Sequence, residues 1–174
     1  MTPRLAAFPK AYIDDLSVTG KMSLDEWIDL TARLDVDGLE FYSGFLDLRD
    51  ADRWADYRRK VEDQGRSIPM LCCSPDFTHP DPAFRRREVD REKRFIDMTR
   101  ALGGNYCRVL SGQRRPEVDR ETGLDYCVAC IETCLEHARE AGITLIIENH
   151  YKDGYWTYPE FAQQMDVFCE LVDR

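Results

Sequence analysis

The sequence predicts an α/β fold, a (β/α)5 arc of five parallel strands in chain order with the helices outside. Two patterns carry that prediction. Short apolar, β-branched or aromatic runs at 5–8, 38–42, 68–73, 106–110 and 144–147 alternate with segments of helical spacing. The strand starts, near residues 5, 37, 67, 105 and 143, lie 32, 30, 38 and 38 residues apart. A closed eight-unit barrel uses roughly 250 residues, about 31 per unit. An open, doubly wound sheet would also suit 174 residues. It loses its usual support here, because neither G-x-G-x-x-G nor G-x-x-x-x-G-K-[ST] occurs. The expectation is one incomplete barrel domain over residues 1–174, ending after its fifth βα unit.

Each helix carries its own signals. Ser23 and Glu26 make a capping box ahead of Trp27, Leu30, Thr31 and Leu34, which follow i, i+3, i+4, i+7. Trp54, Tyr57 and Val61 mark a second helix, closed by Gly65. Asp81-Pro82 reads as an N-cap followed by an N1 proline, opening a helix that buries Phe95, Met98, Thr99 and Leu102. Leu124, Cys127, Val128, Ile131, Leu135 and Ala138 define a fourth, ending at Gly142. Thr157 and Glu160 suggest a further capping box, with Phe161, Met165, Phe168 and Val172 on the buried face of the last helix.

Composition narrows the function classes. Hydrophobic residues are 43% and charged residues 33%, which excludes disorder and coiled coil as the main architecture. Net charge is −9, the reverse of what a phosphate-binding surface needs, so no nucleic-acid partner is expected. The Arg85-Arg86-Arg87 run is balanced by Glu88, Asp90 and Glu92 and reads as a solvated face. The apolar runs are too short to span a bilayer and no signal-peptide core follows Met1, so no membrane partner and a cytoplasmic location are expected. The seven cysteines then read as free thiols. Cys127 and Cys130 have C-x-x-C spacing but lie inside an amphipathic helix, with no second pair to complete a zinc site. They are assigned to packing, Cys127 and Cys134 facing the sheet and Cys130 nearer the flank. Cys72 and Cys73 are assigned to strand filling.

In parallel βα proteins the chemistry sits at the C-terminal ends of the strands. There Glu40 shares a face with Tyr42, Arg108 follows Tyr106, and Glu148 shares a face with His150. Ser74, Asp76 and His79 follow the third strand, and Ser111, Gly112 and Gln113 the fourth. Glu148 after three aliphatic residues is costly to bury unless paired or metal-bound, which favours a site role. The plain alternative for Glu40 is a structural ion pair with Arg108. For His150 and His79 it is a loop hydrogen bond.

The blocks Asp37-Gly-Leu-Glu-Phe-Tyr42, Cys107-Arg-Val-Leu-Ser-Gly-Gln113 and Ile143-Thr-Leu-Ile-Ile-Glu-Asn-His150 resemble the xylose isomerase-like TIM barrels. More narrowly, they are similar to the sugar phosphate isomerases/epimerases. The resemblance implies a partial TIM barrel and metal-assisted proton transfer next to a carbonyl. In that family carboxylates and a histidine from strands five to eight hold a divalent metal. Glu148 matches the strand-five glutamate, the first ligand and a proton-transfer base. Ligands from strands six to eight have no counterpart, so the chain alone is expected to be inactive. The implied cofactor is Mn²⁺ or Mg²⁺, with Zn²⁺ as the alternative. Glu40, Arg108 and His150 would bind or orient a small-molecule sugar or sugar phosphate. Self-association through open barrel edges is the expected protein contact. Two alternatives stand beside this reading, an apurinic endonuclease-like zinc phosphodiesterase and a non-catalytic barrel fragment.

Overall fold

The computed structural model describes residues 3–174. All its paired strands are parallel. β1 (Ala6–Ala7) pairs with β2 (Gly38–Leu39), and β3 (Phe41–Tyr42), β4 (Met70–Cys72), β5 (Tyr106–Val109) and β6 (Thr144–Ile147) follow side by side. The second predicted strand is thus one extended segment divided at Glu40. The Glu40 N–H donates to the Ala7 carbonyl while the Leu39 N–H donates to the Ser67 carbonyl, so the segment bonds to both neighbours. The strand order is the order of the chain.

Alternation along the strands decides what each face carries. Leu39, Phe41, Leu71, Cys73 and Cys107 point to one side and join a single core with Trp27, Ile28, Val61, Ile96, Met98, Leu124, Cys127 and Leu171. Those partners come from α2 (Leu24–Thr31), α3 (Ala51–Glu62), α4 (Pro82–Ala101), α5 (Arg120–Ala141) and α6 (Met165–Asp173). Each fully buried aliphatic or aromatic side chain contributes about 1.5–3 kcal/mol. The opposite face carries Glu40, Arg108, Tyr106 and Ile146, the last two exposed. With the helical layer on one side, the doubly wound alternative falls and a partial barrel stands.

Most helix signals act as read. Ser23 accepts from the Glu26 N–H while the Glu26 carboxylate accepts from the Ser23 N–H. Asp81 accepts from the Ala83 N–H with Pro82 in the first turn, and Gly142 ends α5 in the left-handed conformation at φ 71°. Five details differ. The buried stripe of α2 runs through Leu24, Trp27, Ile28 and Thr31, so Leu30 and Leu34 are exposed. A short helix, α1 (Ile13–Ser17), adds a sixth to the five expected. Thr157 and Glu160 form no capping box, because the Glu160 carboxylate is spent on Ser111 and His150; a 3-10 turn (Phe161–Gln163) comes first and α6 begins only at Met165. The late start rotates the last helix, so Val167 and Leu171 are buried while Met165 and Val172 are exposed. On α5 the buried stripe runs through Leu124, Cys127, Cys130, Cys134 and Ala138, so Cys130 is core rather than flank and Leu135 is 49% exposed.

Leu135 is exposed for a reason of topology. It shares an open groove of about 310 Å³ with Val128, Ile131, Leu145, Ile147 and Val172, beneath the outer edge of β6. Among the described residues β6 pairs with β5 alone.

Candidate functional site

The residue alternation that sends Cys107 into the core sends its neighbour Arg108 to the inner face, and the same parity places Glu40, Tyr42 and Glu148 there. Arg108 is buried. Its Nη1 donates to the Cys73 carbonyl at 3.0 Å, which fixes the guanidinium across the strand tops. Its Nε lies 3.3 Å from Glu148 Oε2, a charge contact that lacks hydrogen-bond alignment. The Glu148 side chain is 50% exposed, so it faces solvent with one side held by a buried cation.

Two neighbours complete the cluster. Burial pushes the Glu40 carboxyl above its ordinary range; Arg108 pulls it back and Glu148 pushes it further up. Burial likewise holds the His150 imidazolium below its ordinary range, against the attraction of Glu148 and with the help of Arg108. His150 Nδ1 accepts from the Lys152 N–H at 3.2 Å, which leaves the ring proton on Nε2. The four residues singled out from strand parity therefore meet: two carboxylates, one of them pushed up by burial, with a fixed guanidinium and an imidazole whose protonation burial opposes.

Sequence reasoning missed the residues that fasten this rim. Glu160 is fully buried and accepts from the Ser111 N–H at 3.0 Å, the Ser111 hydroxyl at 3.1 Å and the His150 N–H. It joins the loops after β5 and β6. Burial pushes its carboxyl up, against the pull of those bonds. Asp76 is a second hub. Arg115 holds it by a two-pronged contact at 3.0 and 2.6 Å, and Gln113 adds its N–H at 3.0 Å and its side-chain amide at 2.9 Å. The Gln113 oxygen accepts in turn from the Thr157 and Tyr158 N–H groups. Gly112 makes that approach practicable. Its φ is +119°, and a Cβ there would lie 2.5 Å from Thr78 Oγ1 and 2.9 Å from Asp76 Oδ1. The tandem of polar residues after strands three and four was visible in the sequence, but not the pairing among them.

A cavity of about 480 Å³ opens beside the cluster, lined by Tyr42, Ser74, Asp76, Gln113, Asp153 and Trp156. None of Glu40, Arg108, Glu148 or His150 lines it. The link is Tyr42, which shares their face and donates its phenol to Asp153 at 3.1 Å. Burial, then the Asp153 charge, holds that phenol protonated well above its ordinary value. His79 stacks on Phe84 at 4.0 Å and accepts from the Asp81 N–H through Nδ1, the loop role that its position beside Pro80 suggested.

Parallel strands with helices outside, and polar side chains gathered at the strands' C-terminal ends, define a protein of the (β/α)-barrel class. The comparison with known families is narrower. The chain belongs to the xylose isomerase-like TIM barrel family, whose sequence profile matches residues 28–174. Among solved structures it is similar to IolI protein with a bound zinc atom, at 12% identity and a TM-score of 0.75 over 98% of this chain and 58% of that one. It is also similar to D-psicose 3-epimerase in the presence of D-fructose (16% identity, TM-score 0.68, 83% and 52% covered). An L-ribulose 3-epimerase matches at 20% identity and TM-score 0.66, with 84% and 49% covered. At these identities the likeness is one of fold, and the chain spans about half the length of each structure. No curated protein sequence matches it.

Proposed function

We propose that the chain serves a sugar or sugar phosphate isomerase or epimerase, transferring a proton at the carbon next to a carbonyl. The observation that carries this is the Arg108–Glu148 contact at the inner end of β6, with Glu40 and His150 beside it. The epimerase names among its structural neighbours support the substrate class. Glu148 is half exposed and held on one side by Arg108, so its carboxylate is placed to take a proton from a bound ketose. Arg108 presents fixed positive charge to the oxygen on which negative charge develops. Glu40, which keeps its proton more readily than an ordinary glutamate, donates to a substrate hydroxyl, as does the Nε2–H of His150.

A divalent metal belongs to this reading, Mn²⁺ or Mg²⁺ before Zn²⁺, with Glu148 as its ligand. The donors on the inner face do not make a cage. Among the described residues, the group of three ligating side chains within reach of one another lies elsewhere, at Cys73, Glu92 and Cys107. The chain therefore offers a metal one carboxylate here, and the ion, when bound, would supply Lewis-acid stabilisation of the developing charge.

Two measurements test the proposal. In calorimetry, Mn²⁺ is expected to bind weakly, and Glu148→Gln to abolish that binding while circular dichroism stays unchanged. In saturation-transfer NMR a ketohexose is expected to bind, and His150→Asn to weaken it; added Mn²⁺ should give no epimerisation above background from the 174 residues alone. A chain that binds no ketose loses the substrate assignment and becomes a non-catalytic barrel fragment. Metal-dependent turnover by the isolated chain would instead show that the ligand count is wrong.

A further inference from the structure

A second set of ligating groups lies on the other face of the sheet from Glu148. Cys73 follows β4, Cys107 stands on β5, and Glu92 reaches them from α4; all three are fully buried or nearly so. Their ligating atoms lie within 4.8 Å of one another. The two sulfurs are 3.7 Å apart, and Cys107 Sγ is 3.2 Å from Glu92 Oε1. The other carboxyl oxygen, Glu92 Oε2, is buried with no hydrogen-bond partner.

Hydrogen-bonded thiols beside a protonated carboxyl would account for one oxygen of Glu92 and leave the second bare. The spacing also fits a shared guest, which would use the second oxygen. Zinc–sulfur bonds of about 2.3 Å at a tetrahedral angle set two thiolates about 3.8 Å apart, and a zinc–oxygen bond of about 2.0 Å sets sulfur and oxygen about 3.5 Å apart. The observed 3.7 and 3.2 Å are close to those separations. We infer that Cys73, Glu92 and Cys107 form a structural zinc site that clamps α4 to β4 and β5, with both oxygens of Glu92 in the ligand shell. Two thiolates select zinc over the hard ions Mg²⁺ and Mn²⁺. Two thiolates and a carboxylate carry three negative charges against two on the ion, and Arg108, bonded to the Cys73 carbonyl, brings positive charge close to the excess. The strand-end cavity offers a route, since Glu92 and Phe95 line it. Binding releases the protons held by the three groups to solvent, with no change of oxidation state.

The test uses the reduced, metal-stripped 174-residue protein, titrated with Co²⁺ and then Zn²⁺. One equivalent of Co²⁺ is expected to produce a thiolate-to-cobalt charge-transfer band that Zn²⁺ then abolishes. Cys107→Ala and Cys73→Ser should each remove the band, and Glu92→Gln should weaken Co²⁺ binding by about tenfold or more. Glu148→Gln should leave it in place, which separates this site from the metal proposed on the inner face. Circular dichroism checks the fold of each variant, and the isosteric Glu92→Gln stands in where a cysteine variant unfolds. No band in the unaltered protein overturns the site. So does a band that survives both cysteine substitutions, since Cys127, Cys130 and Cys134 would then be its source.

Discussion

Asp76 illustrates what single positions reveal and conceal. As an acid after a strand it was legible; that Arg115 and Gln113 converge on it was not, because those partners lie 39 and 37 residues further along the chain. Glu160 was misread for the same reason. It stands three residues after Thr157, as a cap would, but its carboxylate bonds Ser111, 49 residues away. Glu40, Arg108, Glu148 and His150 were legible because strand parity alone decides which face they share. Asp76 is 3% exposed, so Asp76→Ala should cost about 3–5 kcal/mol in urea unfolding by stranding the Arg115 charge. The cysteines give a second expectation. Burial pushes the Cys72 and Cys130 thiols up to about 11 and Cys134 up to about 12, whereas Cys169 is exposed. Iodoacetamide at pH near 8 should modify Cys169 alone in the native protein and all seven thiols after unfolding and metal removal, read by intact mass.

At the scale of elements, all five strand runs were legible, because short apolar stretches between caps and glycines leave few other readings. The division of the second strand at Glu40 was not, since it depends on Ala7 and Ser67 competing for adjacent N–H groups. Helix faces were legible where a full layer covers them, as on α4, and misread where cover is partial, as at Leu135 and Met165. Gly123 shows packing overruling propensity. Gly123 lies in the first turn of α5, and replacing a glycine within a helix by alanine ordinarily stabilises by up to about 1 kcal/mol. Here a Cβ would collide with the buried ring of Phe161, the first residue of the turn before α6. Overpacking of that kind costs about 1–3 kcal/mol, so Gly123→Ala is expected to lower the urea midpoint. A raised midpoint would show that the ring moves aside freely.

For the whole molecule, unit spacing and the absence of phosphate-cradling loops were enough to set an arc of barrel against an open sheet. What they could not convey is how the arc meets water at its margin, which depends on how far each helix reaches. Among the described residues, the margin at β6 combines an unpaired backbone edge with the groove under Leu135, Ile131 and Leu145. Anything that covers it, a second copy included, does so only while the strand and helix are folded. Mass action then ties folding to concentration: at a concentration a hundred times the dissociation constant the native state gains about 2.7 kcal/mol. The melting temperature should therefore climb as the protein is concentrated. Replacing the exposed Leu135 by lysine should flatten that climb while lowering the unfolding free energy in the dilute limit by no more than about 0.5 kcal/mol. The stability of this chain would then be a property of the solution it is in as much as of its own contacts.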